Sequence, residues 1–172
     1  MLFFFVFFLS GLTTARVGYQ STLPSSTFEE FDIVGTYTHP SYVSTTGSYD
    51  VMVVKLGGSS TAQWARVNAD PAFPPTSSAY QIEAVGIGQT SLASGLPANL
   101  QFSSLLAISP PACLALIRTG NSTGAYKTQI PDHQCFTDYR DFGGQCFYDE
   151  GGPLVEVGRT VTDDILVAVM AR

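Results

Sequence analysis

Cys146-Phe147-Tyr148-Asp149-Glu150-Gly151-Gly152-Pro153-Leu154-Val155 is the stretch on which the fold of this chain turns. Two acids precede a Gly-Gly pair, and glycine permits the positive φ values of a tight turn. Leu154-Val155 then opens an apolar run. Taken alone, the stretch is an acidic turn entering a strand, with a cysteine three residues before Asp149.

That stretch resembles the nucleophile loop of the trypsin-like (chymotrypsin-fold, S1) serine peptidases, Cys-x-Gly-Asp-Ser-Gly-Gly-Pro-Leu. Tyr148 stands at the first Gly of the pattern, an oxyanion-loop position, and Glu150 stands at the Ser. Acyl transfer needs an activated hydroxyl and backbone N–H donors for the oxyanion. Glutamate has no hydroxyl, and its carboxylate is ordinarily anionic at neutral pH. It could sit where the oxyanion would form. A Cβ at Tyr148 strains the turn or moves its N–H.

Three further segments carry the resemblance, in the family's order. Thr38-His39-Pro40-Ser41-Tyr42, followed by Tyr49-Asp50-Val51-Met52-Val53-Val54-Lys55-Leu56, is similar to His-Pro-x-Tyr … Asn-Asp-Ile-x-Leu-Leu-Lys-Leu. The resemblance gives Asp50 the triad Asp position. Ala84-Val85-Gly86-Ile87-Gly88-Gln89-Thr90 and Leu96-Pro97-Ala98-Asn99-Leu100-Gln101 are similar to the Gly-Trp-Gly strand end and the Leu-Pro-x-x-Leu-Gln segment, with Ile87 at the Trp. Cys113 and Cys135 fall where the second barrel has a disulfide. The resemblance covers about residues 15–172. It implies an all-β, chymotrypsin-like antiparallel double β-barrel, incomplete at both ends.

The departures concern the chemistry. A nucleophilic Ser needs a His base oriented by an Asp, and the two histidines, His39 and His133, match other positions. Nothing resembles the Ala-Ala-His-Cys segment that carries the family's His. The pocket-floor position, two residues before Cys146, is Gly144, so no selectivity for Lys or Arg follows. Ile33-Val34-Gly35 imitates an activated N-terminus, but Asp32 precedes it, and it is read as a strand. Without an Ile-Val-Gly-Gly arm to pair with Asp149, the Asp149 loop is expected in a zymogen-like arrangement. Asp149 would turn to solvent or local polar groups, with Glu150 exposed beside it.

Composition narrows the classes. Net charge is −6 with only 8 Lys and Arg, so no basic cluster exists to neutralise phosphates, which argues against nucleic-acid binding. No Gly-rich phosphate loop or metal-ligand spacing occurs, so no cofactor or metal is expected. Met1-Leu2-Phe3-Phe4-Phe5-Val6-Phe7-Phe8-Leu9-Ser10-Gly11-Leu12 is too short for a stable membrane span and has the length of a leader's apolar core. Thr13-Thr14-Ala15 offers small residues for cleavage after Ala15, although no Lys or Arg precedes the apolar run. A strand is the competing reading. Residues 1–15 are therefore expected to be a signal peptide, and the protein to be secreted. On the family's pattern Cys113 and Cys135 pair and Cys146 is left over, as a free thiol or an intermolecular bridge. Asn121-Ser122-Thr123 is a glycosylation sequon, with Asn121 as acceptor.

Short apolar runs between Gly, Pro, Ser and Thr predict strands over 16–20, 31–36, 51–56, 81–86, 100–108, 154–157 and 165–170, and a helix over 110–117. The Pro/Ser-rich segment 70–78 divides residues 16–75, a partial first barrel, from residues 80–172, most of the second. Both lack strands, so the edges at 51–54 and 165–169 are expected to be open, and self-association through strand edges follows. The reading is a trypsin-like homologue without peptidase activity, a secreted module for a protein or peptide ligand. The alternative is a fragment or mispredicted product of an active secreted trypsin-like protease. An acid/base pair made by Asp50 and Glu150 ranks last, because nothing supplies it with a substrate site.

Overall fold

The computed structural model of the chain describes residues 2–5, 13–21, 23, 27–75, 80–90, 94–119, 134–138, 149–158, 160 and 163–170. They form ten strands and one helix in two open sheets. The first sheet has four strands in the order β1-β4-β3-β2, built from β1 (Leu2–Phe5), β2 (Thr14–Val17), β3 (Glu29–Thr38) and β4 (Met52–Leu56). Neighbours in it run antiparallel. Period-two burial sets its inner face. Ala15, Val17, Met52, Val54 and Leu56 form one core, with Phe31, Ile33 and Ala62 packed against it.

The second sheet has the order β5-β10-β9-β6-β7-β8. Its strands are β5 (Arg66–Val67), β6 (Gln81–Gly86), β7 (Gln101–Ile108), β8 (Cys135–Asp138), β9 (Pro153–Glu156) and β10 (Ile165–Val169). Its core is Ile82, Ala84, Leu105, Leu154 and Met170. Helix α1 (Pro110–Thr119) follows β7. Ser109 precedes it and its carbonyl accepts the first turn's bond from the Cys113 N–H. Proline is tolerated just inside a helix start because that N–H has no helical partner. Cys113 and Cys135 are bonded, tying α1 to β8. The Tyr80 hydroxyl meets the Glu156 carboxylate, joining the entry of β6 to β9. Burial, with that carboxylate beside it, pushes the Tyr80 phenol up to about 12.

All seven predicted strands and the helix are present, with ends shifted by a few residues at most. The structure adds three findings. Leu2–Phe5, a segment also read as part of a leader, pairs with β4 as a strand. The edges expected to be open are interior, β4 between β1 and β3 and β10 between β5 and β9. The antiparallel expectation fails at β5, which runs parallel to β10. Residues 66–67 precede the predicted boundary yet belong to the second sheet, so the Pro/Ser-rich segment does not separate the two sheets.

Candidate functional site

Asp149-Glu150-Gly151-Gly152 closes a turn in which the Gly152 N–H donates to the Asp149 carbonyl at 2.9 Å. Gly151 takes the third position at φ +81°, which a turn of type II requires and glycine supplies without strain. Two further bonds dock the turn on the end of β10. The Gly151 N–H donates to the Met170 carbonyl at 2.8 Å, and the Met170 N–H to the Gly152 carbonyl at 2.9 Å. Gly151 is buried, and Asp149 and Glu150 are half-buried.

The Asp149 side chain points across to the segment after β6. Its Oδ1 accepts the Gly88 N–H at 2.8 Å. A Cβ placed on Gly86 would stand 2.1 Å from that same oxygen, so the carboxylate occupies the space a side chain at position 86 would need. Glycines in the Gly86-Ile87-Gly88 segment thus give the carboxylate both its room and its donor. Glu150, expected to be exposed, is half-buried.

Asp50 lies elsewhere, half-buried at the head of β4. The Val51 N–H donates to the Tyr49 carbonyl at 2.8 Å, bracketing Asp50 in a three-residue turn. Tyr49 holds φ +54°, an uncommon conformation for a residue with a Cβ. Its ring stacks on His39 with centroids 4.8 Å apart. The Nδ1 atom of His39 accepts the Ser41 N–H at 3.1 Å, and the His39 N–H donates to the Val51 carbonyl at 3.0 Å. His39 therefore shapes the turn around Asp50. Burial first, and the charge of Asp50 second, raise the Tyr42 phenol above its ordinary value.

The structure brings the Asp149 turn and the Gly86–Gly88 segment together and leaves Asp50 at the head of a strand in the other sheet. Gly144, Cys146 and Tyr148 lie outside the described residues, as do Asn121 and His133. Among the described residues no group of three or more His, Cys, Asp or Glu could hold a metal ion, and no helix is long and apolar enough to cross a membrane. The reading of individual residues overlooked Gly86 and Gly88 as partners of Asp149. A Gly-x-Gly at a strand end was the available signal, since it marks close approach of another group.

A turn of this sequence, docked on the segment after β6 by the acid before its centre, joins two of the motifs quoted above in one place. A family model for Trypsin matches residues 10–169. The chain belongs to the trypsin family. Its fold is accordingly an open form of the chymotrypsin-like all-β architecture, mostly strands with one short helix among the described residues. No curated protein matches it. The Asp149 turn is the segment whose sequence resembles the family's nucleophile loop.

Proposed function

We propose that this trypsin-family chain has no peptidase turnover and acts as a secreted module that binds a protein or peptide ligand through loops its relatives use for substrate. The reading is carried by the sequence resemblance, which puts Glu150 where the family has its Ser, in a turn that is docked on the end of β10. A carboxylate there offers no hydroxyl to attack a carbonyl. The engagement of His39 Nδ1 with the Ser41 N–H supports the reading, because a triad His must orient its Nδ1–H toward the Asp. The test is incubation of the purified protein with peptide amide substrates and a fluorophosphonate probe. Neither turnover nor labelling is expected, and covalent labelling of any Ser in residues 80–172 would sink the reading. Glu150→Ser is also expected to stay unlabelled, because a nucleophile without its base loses most of its advantage.

Secretion is part of the same proposal. A disulfide such as Cys113–Cys135 persists in oxidising compartments. Sequencing the N-terminus of protein collected from medium is expected to find Arg16 first. A secreted chain still starting at Met1 would remove the leader from the proposal.

A further inference from the structure

One segment has two incompatible assignments. As a leader, residues 1–15 would be cut away. As folded chain, Leu2–Phe5 forms β1 on the outer edge of β4, with Leu2 opposite Lys55, Phe3 opposite Val54, Phe4 opposite Val53 and Phe5 opposite Met52. A cut after Ala15 removes all of β1 and opens β2 beside a residue packed in the first core. β4 would then lose its partner on one side. β4 also carries Val54, which has no exposed surface, so it is the centre of the first core and not a dispensable edge.

A bare β4 edge presents unpaired N–H and C=O groups in an apolar strand, which is a template for another strand. We propose that the outer edge of β4 is a strand-acceptor site, filled within the chain by Leu2–Phe5 and, once that segment is lost, by β4 of a second copy. The loss itself rests on the leader reading given above; the acceptor site does not. Register and charge favour a second copy. A two-fold axis perpendicular to the sheet, passing between Val53 and its symmetry mate, sets Met52 opposite the second copy's Val54. Residues directly opposite in an antiparallel pair share a face. Met52 and Val54 of both copies therefore stay on the core side and the two cores join. Lys55 comes to lie opposite the second copy's Val51, so the lysines do not face each other. The interface is isologous and closes as a dimer.

The test uses the full-length chain and needs no processing. Phe3→Pro with Phe4→Pro removes two consecutive strand N–H groups, one of which must point toward β4 because they alternate along a strand. Sedimentation velocity should find the unaltered chain monomeric and the proline variant dimeric. Adding Val53→Lys places two ammonium groups face to face at the axis, and the dimer should weaken about tenfold or more. An excess of a synthetic peptide copying residues 2–9 should also return the monomer. A folded proline variant that stays monomeric overturns the proposal, and so does a dimer indifferent to Val53→Lys. An unaltered chain that is already dimeric overturns it as well. Hydrogen exchange on the unaltered chain covers the case in which the proline variant does not fold. Amides of Met52–Lys55 are expected to be protected on both sides of the strand. Exchange of alternate amides as fast as at the outer edge of β2 means the site is empty, and the proposal fails. N-terminal sequencing reads the leader separately, so either idea can fall without the other.

Discussion

At position 86 the chain has no side chain, and the Asp149 carboxylate uses the space. Gly86→Ala would set a methyl carbon 2.1 Å from Oδ1, so the carboxylate must leave the Gly88 N–H. Loss of a charge-assisted hydrogen bond with partial burial predicts a destabilisation of about 1–3 kcal/mol, measured as a lower urea midpoint at unchanged slope. An unchanged midpoint would mean that the turn is held by its bonds to Met170 alone. Glu29 makes a second residue-scale case. Hydrogen bonds from the Ser60 hydroxyl and then from the Thr61 hydroxyl and N–H hold its carboxyl below the usual range. A depressed folded value contributes stability above the unfolded value, about 4.3, and that contribution is lost as pH falls through the folded value. Glu29→Gln should therefore be less stable than the parent at neutral pH, and the gap should close in acid. Urea titrations across that range would show it; a gap constant with pH would assign the effect to packing. The turn at Asp149-Glu150-Gly151-Gly152 could be read from the chain, because its Gly-Gly pair precedes an apolar run. The half-burial of Glu150 could not, because burial depends on neighbours distant in sequence and no local pattern encodes them.

Among elements, the strands were legible wherever alternation or a bounded apolar run was strong. Gln81–Gly86 is read to the residue, since Gly86 ends it and Ile82 and Ala84 alternate inward. β5 was not read, because two residues hold no periodicity and their pairing with β10 is settled by chain path. The pairing of β1 was not read for a different physical reason. A dense run of Phe and Leu suits both a leader and a strand, and its partner β4 lies far along the chain. The link between α1 and β8 carries the prediction at this scale. Cys113 and Cys135 are 22 residues apart in sequence. A chain-entropy estimate for a loop of that size gives about 3 kcal/mol. Replacing both with Ala should lower the unfolding free energy by about that amount under non-reducing conditions, and added reductant should then change nothing further. Equal stability of parent and variant would show that the tie constrains neither state.

For the molecule as a whole, the two sheets are not two beads on a string. β5 leaves the first half of the sequence and completes the second sheet, with the Arg66 N–H on the Asp164 carbonyl and the Asn68 N–H on the Leu166 carbonyl, each at 2.9 Å. From the other side, Ser21 bridges to Asn99, its hydroxyl donates to the Ala98 carbonyl at 2.7 Å, and the Leu100 N–H donates to the Gln20 carbonyl. Covalent continuity through residues 76–79 is therefore one of several connections between the halves. A protease site introduced there and cut should yield a nicked protein that elutes from gel filtration as a single particle and separates only in denaturant. Two peaks under native conditions would contradict this. The same crossing of strands means that residues 1–75 and 80–172, made as separate polypeptides and mixed, should reconstitute one another by complementation.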